Sequence, residues 1–211
     1  VLEALSVGCV RGERRLFSGV GFTLAAGQLL RVSGANGSGK TSLLRILCGL
    51  LTPVEGEVRW NSAKIGSQRD DYHRSLSYIG HLNGLKEELS PLENLEIGAT
   101  LAGVPAGVEA RIGALDVFGL ASSAHAPVRY LSQGQRRRVA LARLALSAAV
   151  PLWILDEPFT ALDAHAVKRL EGLIATHVGA GGMVVLTTHM EVSIVAVDVL
   201  RIDLDGRGGR P

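Results

Sequence analysis

The sequence predicts an α/β protein: a mostly parallel core sheet, antiparallel strands at the start, and a helical subdomain inserted in the middle. Three observations carry this. First, the run Leu29-Leu30-Arg31-Val32-Ser33 leads into Gly34-Ala35-Asn36-Gly37-Ser38-Gly39-Lys40-Thr41, after which Leu43, Leu44 and Leu47 mark one helix face. Strand, glycine-rich loop and helix follow in that order. Second, Leu152-Trp153-Ile154-Leu155 and Met183-Val184-Val185-Leu186 are apolar throughout and bounded by turns. That is the pattern of parallel strands buried on both faces. Third, strand pattern nearly vanishes between about residues 85 and 130 and a further helix follows, so about 85–148 reads as an insertion within one domain spanning 1–211.

Composition narrows the class. Of 211 residues, 47% are hydrophobic and 20% charged, enough for a sizeable core. Aromatics are only 4%, so that core is aliphatic. A formal net charge of +2 gives no electrostatic case for nucleic acid. Cys9 and Cys48 form no metal-type cluster and read as free thiols of a reducing compartment. Glu3 and the basic residues from Arg11 to Arg15 break any leader-like start. No run of about 18 apolar residues occurs, so membrane association is expected through partners only.

The elements follow in order. Residues 1–33 read as strands and turns: Val20, Phe22 and Leu24 alternate with small or polar residues, and Gly12-Glu13-Arg14-Arg15 is a hairpin candidate. Gly49 and Pro53 end the helix after the glycine-rich loop. Residues 57–60 form a strand entered by a Gly56 turn, 61–75 a polar loop, and 76–80 another strand. Pro91 opens a helix to about 101, a second runs over about 108–118, and a third over about 132–147. A helix over about 164–178, a short one near 191–197, a closing strand over 199–204 and a loose tail over 206–211 complete the chain.

The loop 34–41 reads G-x-x-x-x-G-K-S/T, the phosphate-binding P-loop. Its glycines let successive backbone N–H groups point inward at a phosphate, and the following helix N-terminus adds donors and a positive dipole end. Lys40 supplies a cation for the β- and γ-phosphates, and Thr41 a hydroxyl for Mg²⁺. Ligands of parallel sheets sit beyond the carboxyl ends of the strands. Asp156, Glu157 and His189 all fall at such ends. Asp156 suits Mg²⁺, and Glu157 suits a general base acting on water.

Taken together these segments resemble the ATP-binding cassette (ABC) ATPases over nearly the whole chain. Leu131-Ser132-Gln133-Gly134-Gln135 is similar to the family's LSGGQ signature, with Gln133 replacing the first glycine; Ala161-Leu162-Asp163 resembles its D-loop and His189 its switch histidine. The resemblance implies the P-loop ATPase fold of ABC type. It also implies a head-to-tail dimer that sandwiches ATP between one subunit's P-loop and the other's signature. Ser132, Gly134 and Gln135 would then act in trans, while Lys40, Glu157 and His189 would carry catalysis. The run Arg136-Arg137-Arg138 is expected to be a solvated face or to pair with acidic neighbours.

Two positions depart from the family pattern. His81 stands where a glutamine usually contacts Mg²⁺, and Arg11 where an aromatic usually stacks on adenine; a guanidinium plane can do the same. The wording around Cys9–Arg14, Gly80–Lys86 and Trp153–Asp163 resembles the ATPase subunit of the cytochrome c maturation (haem exporter) system. That implies a peripheral protein on the cytoplasmic face of the bacterial inner membrane. It would be bound to membrane-spanning transporter subunits and would power release of a haem-loaded periplasmic chaperone. Another small ABC exporter, a soluble ABC protein acting on DNA or ribosomes, and a non-hydrolytic scaffold are the alternatives.

Overall fold

The computed structural model describes residues 1–190, 194 and 198–205. Two sheets organise them. Strands β1 (Leu2–Arg11), β2 (Arg14–Leu24), β4 (Glu55–Trp60) and β5 (Ala63–Lys64) make an antiparallel sheet ordered β2-β1-β4-β5. Strands β3 (Gln28–Ser33), β6 (Leu76–Ile79), β7 (Leu152–Leu155), β8 (Met183–Thr187) and β9 (Asp198–Asp203) make a parallel sheet ordered β6-β7-β8-β3-β9.

The unbroken apolar runs are explained by two cores, one on each face of the parallel sheet. Leu29, Trp153, Leu155, Val184 and Leu186 face the helices α3 (Pro91–Leu101), α4 (Val108–Val117), α5 (Gln133–Leu146) and α6 (Ala164–Gly179). Leu30, Val32, Leu152, Ile154 and Val185 face α1 (Lys40–Leu47) and the antiparallel sheet. A period of two with both faces covered leaves no polar position.

The helices carry their own boundary chemistry. Ser90 caps α3 and Ser132 caps α5, each in a reciprocal capping box with Glu93 or Gln135. Asp163 caps α6 by accepting from the Ala166 N–H at 2.8 Å. At the end of α1, Leu50 N–H bonds Arg45 C=O and Gly49 N–H bonds Ile46 C=O, a Schellman stop.

Three expectations change. Residues 61–75 are not all loop: they contain β5, a 3₁₀ turn and the short helix α2 (Arg69–Arg74), which buries Tyr72 against Trp60. One buried aromatic in a polar stretch gives too little periodicity to read. Gly56 is not a turn but lies inside β4, packed on the carbonyls of Leu5 and Ser6 where β1 slips register. The closing strand starts at Asp198, while most of the helix expected near 191–197 and the tail over 206–211 lie outside the described residues.

Candidate nucleotide site

The parallel sheet brings the candidate residues to one edge. The P-loop leaves the end of β3, Asp156 and Glu157 leave the end of β7, and Thr187 closes β8, which lies between them. Helix α1 begins at Lys40 directly after Gly39, whose φ of 105° is left-handed. A Cβ on Gly39 would also stand 2.9 Å from the Phe17 ring, so glycine is required there for both conformation and space. Lys40 is buried, and its Nζ donates to the carbonyls of Gly34 at 2.7 Å and Ala35 at 3.1 Å. The ammonium is thereby folded back over its own loop.

Beyond the lysine runs a chain of hydroxyl and carboxylate groups. Thr41 Oγ1 donates to Asp156 Oδ2 at 2.8 Å, Thr187 Oγ1 donates to Asp156 Oδ1 at 2.8 Å, and Glu157 N–H donates to Thr187 Oγ1 at 2.8 Å. Glu157 has a φ of 47°, uncommon for a residue with a side chain. His189 Nε2 lies 3.2 Å from Glu157 Oε1. This is an ion-pair distance without hydrogen-bond geometry, so Oε1 is a buried acceptor with no hydrogen-bond donor among the described residues. Ser38 Oγ in the P-loop is buried and unpartnered in the same sense. Two unmet polar atoms at one sheet edge are what a polar ligand would satisfy.

A cleft of about 490 Å³ opens here, lined by Thr41, Arg45, Tyr78, His81 and Asp156 among others. Oxygen donors from Thr41 and Asp156 suit Mg²⁺, which completes its shell with phosphates and water. Among the described residues no group of three or more His, Cys, Asp or Glu side chains could hold a metal unaided. A phosphate-shared ion therefore fits better than a protein-only cage. His81 is exposed and lines the same cleft.

The signature segment lies at the start of α5. Ser132 Oγ accepts from Gln135 N–H at 3.2 Å and Gln135 Oε1 accepts from Ser132 N–H at 2.8 Å. The capping box occupies the N–H groups of Ser132 and Gln135, leaving those of Gln133 and Gly134 without intrahelical partners. A Cβ on Gly134 would meet the Ala161 carbonyl at 2.9 Å, so signature and D-loop touch through backbone.

A family described as "ABC transporter" matches residues 17–160. The chain belongs to the ABC transporter family. It is 51% identical over 203 residues to the cytochrome c biogenesis ATP-binding export protein CcmA of Nitrosospira multiformis, covering 96% of this chain and 98% of that one. Against the CcmA of Dechloromonas aromatica the identity is 53% over 204 residues, covering 97% and 100%. Among solved structures, an ATP-binding subunit of an ABC transporter is 26% identical with a TM-score of 0.80, covering 90% of this chain and 79% of that one. A dimeric bacterial ABC transporter cassette is also 26% identical at a TM-score of 0.80, covering 100% and 97%.

Within this ABC fold, most of the residues singled out by sequence gather at the sheet edge, and a few do not. Arg11 is exposed at the end of β1, opposite Arg14 in the strand register. Its hairpin partner Arg14 comes near the P-loop: Arg14 Nη1 would lie 4.0 Å from a Cβ on Gly37. Arg137 corrects the expectation of a solvated basic face. It is buried, and its guanidinium donates to the carbonyls of Gly80, Asp156 and Glu157 and to Asn83 Oδ1 at 2.9–3.2 Å. Burial lowers its pKa, and the neighbouring charges of Asp156 and Glu157 act in the opposite direction. Arg136 does pair with an acidic neighbour, Glu87, at 2.8 Å. Arg138 donates to the Phe118 carbonyl.

Sequence reading also missed Thr187 and Asp205. Asp205 accepts from the Ala35 N–H and so ties the end of β9 to the P-loop. A hydroxyl closing an otherwise apolar strand was the one available sign for Thr187; Asp205 gave none.

Proposed function

We propose that this chain is the ATP-hydrolysing subunit of a membrane ABC transporter complex, that of the haem exporter or cytochrome c biogenesis system. There it powers release of the haem-loaded periplasmic chaperone. The observation that carries the ATPase reading is the hydrogen-bonded chain from Thr41 through Asp156 and Thr187 to Glu157, beside a folded-back Lys40. Near-full-length identity of about half to proteins named for cytochrome c biogenesis supports the choice of system.

In this reading, Lys40 and the N–H groups of residues 34–41 hold the β- and γ-phosphates of ATP. Thr41 and Asp156 would hold Mg²⁺, and His81 lines the same cleft. Bound by these residues, Mg²⁺ would supply neutralisation of phosphate charge. Glu157 accepts a proton from water as the water attacks the γ-phosphorus in line, and ADP departs. His189, 3.2 Å from Glu157 and 53% exposed at its side chain, would donate to a γ-phosphate oxygen. Arg11 and Arg14 stand at the hairpin where a guanidinium could stack on adenine.

The second half of the site comes from another copy of the chain. Ser132, Gly134 and Gln135 begin a helix whose N-terminus offers donors and dipole to the γ-phosphate of the facing subunit. ATP thus bridges two subunits head to tail, and hydrolysis removes the bridge. Among the described residues no helix is long and apolar enough to cross a membrane. Attachment to the cytoplasmic face of the inner membrane is therefore assigned to the membrane-spanning subunits, with residues 85–148 as the inserted helical subdomain.

The test is co-expression of the full chain with candidate membrane subunits, followed by detergent extraction and affinity purification. Recovery of haem-handling membrane proteins with Mg²⁺-dependent ATP hydrolysis is expected. Recovery with nucleic acid or ribosomes instead would overturn the transporter assignment.

A further inference from the structure

One buried hydroxyl does work that no motif assigns. Strand β8 lies between β3 and β7, with Val32 opposite Thr187 and Leu155 opposite Leu186 in the two registers. Thr187 therefore ends its strand beside Asp156, the first residue beyond β7. Its relative exposure is 0%. In such a place a hydroxyl must find partners or forfeit its solvation. Both of its partners are site residues: it donates to Asp156 Oδ1 at 2.8 Å and accepts from Glu157 N–H at 2.8 Å.

The two bonds act on different degrees of freedom. Asp156 Oδ1 held by Thr187 leaves Oδ2 aimed at Thr41, 2.8 Å away. The carboxylate is thereby fixed in rotation about its terminal torsion, which is broad when unconstrained. The bond to Glu157 N–H holds a backbone with φ of 47°. A left-handed residue carrying a Cβ persists only where its surroundings over-determine it. Here the N–H is held by Thr187 and the carbonyl by Arg137 Nη2 at 2.9 Å. The peptide groups on both sides of the strained residue are thus tied down, and the side chain is directed toward His189.

We propose that Thr187 is a positioning residue that orients the Asp156 carboxylate and the Glu157 backbone for ATP hydrolysis. The inference rests on the reading of Glu157 as the residue that activates water. A purely structural threonine would fill space, and valine would fill it equally well. A positioning threonine needs its hydroxyl, and serine retains it.

The experiment compares Thr187→Val, Thr187→Ser and Glu157→Gln in the full chain, assembled with its membrane subunits. The readouts are ATPase kinetics, affinity for a fluorescent ATP analogue and thermal midpoint. Thr187→Val is expected to bind the analogue within about twofold of wild type and to keep its KM. Its kcat should fall about 10- to 100-fold, the usual cost of losing an outer-shell partner. Thr187→Ser is expected to restore most of that loss. Wild-type kcat in Thr187→Val would overturn the inference, as would a loss that serine does not restore. Should Thr187→Val fail to fold, Thr187→Ala takes its place: a lower kcat than Thr187→Ser supports the proposal, and equal rates overturn it. Glu157→Gln separates the two readings, because wild-type hydrolysis in that variant defeats the general-base assignment whatever Thr187 does.

Discussion

Thr41 Oγ1 donates a 2.8 Å hydrogen bond to Asp156 Oδ2, joining residues 115 positions apart. Each residue belongs to a recognisable motif, and their contact closes the sheet edge into one site. Thr41→Val keeps the shape and removes the donor. Nucleotide binding should persist while hydrolysis falls by about tenfold or more and demands higher Mg²⁺, as expected when a hard-oxygen ligand is lost. Lys40→Ala should instead abolish nucleotide binding. Titrations of ATPase rate against Mg²⁺ and of a fluorescent nucleotide against protein distinguish the two losses. Equal Mg²⁺ dependence in Thr41→Val and wild type would remove Thr41 from the ion site.

Gly134 and the Ala161 carbonyl are so close that a Cβ would intrude at 2.9 Å. Gly134→Ala must push the signature turn away from the D-loop. If the Gly134 N–H meets the γ-phosphate of a facing subunit as proposed, such a displacement should cut hydrolysis on the order of 100-fold while leaving nucleotide binding by the isolated chain unchanged. Steady-state ATPase assays with parallel binding measurements check this. Unimpaired turnover would show that the contact is incidental.

Arg137 satisfies three backbone carbonyls and one side-chain oxygen from two separate loops. Arg137→Met fills similar space and leaves those acceptors without their donor. The expected cost is about 3 kcal/mol of stability, in the range for deleting one side of a buried polar network. Denaturant unfolding measures it. A loss below about 0.5 kcal/mol, the ordinary scale of surface substitutions, would mean the carbonyls find other donors.

His177 stacks on Trp153 with ring centroids 3.8 Å apart and planes within 3°. Burial lowers its pKa, while the nearby backbone of Ala148, Met183 and Pro151 partly opposes that shift. The folded state thus favours neutral imidazole, so the unfolded chain binds more protons as pH falls. Stability is fully present above the ordinary histidine value of about 6.5 and declines below it toward the lowered folded value. His177→Phe retains a ring on Trp153 and removes the titration. Its thermal midpoint should fall less between pH 7 and pH 5.5 than that of wild type. Parallel slopes would assign the acid sensitivity elsewhere.

Much of this protein was legible along the chain because the physics involved is local. Glycine spacing in 34–41 sets the backbone path of the P-loop within eight residues. Apolar runs at 152–155 and 183–186 declare strands covered on both faces. The pattern of helices between Pro91 and Leu146 follows from periodicity and from Pro91 at a helix start, while the capping boxes at Ser90 and Ser132 emerge in the structure. The ordered succession of motifs was enough to point to the family.

Only the tertiary structure decided which groups meet. Arg137 reads as one of three surface arginines, yet its partners are mostly backbone carbonyls, and carbonyls leave no trace in a sequence. Arg14 comes near the P-loop at Gly37, a proximity between a hairpin and a distant loop that residue type does not announce. Thr187 looks like the last residue of an apolar strand. It becomes part of the site because β8 lies between β3 and β7, an order set by long-range strand pairing. The sequence by itself determined the P-loop motif, the carboxylates at strand ends and the fold that carries them. Strand order and register decided how those groups are held in place, since hydrogen bonds between distant segments exist only once the sheet has formed.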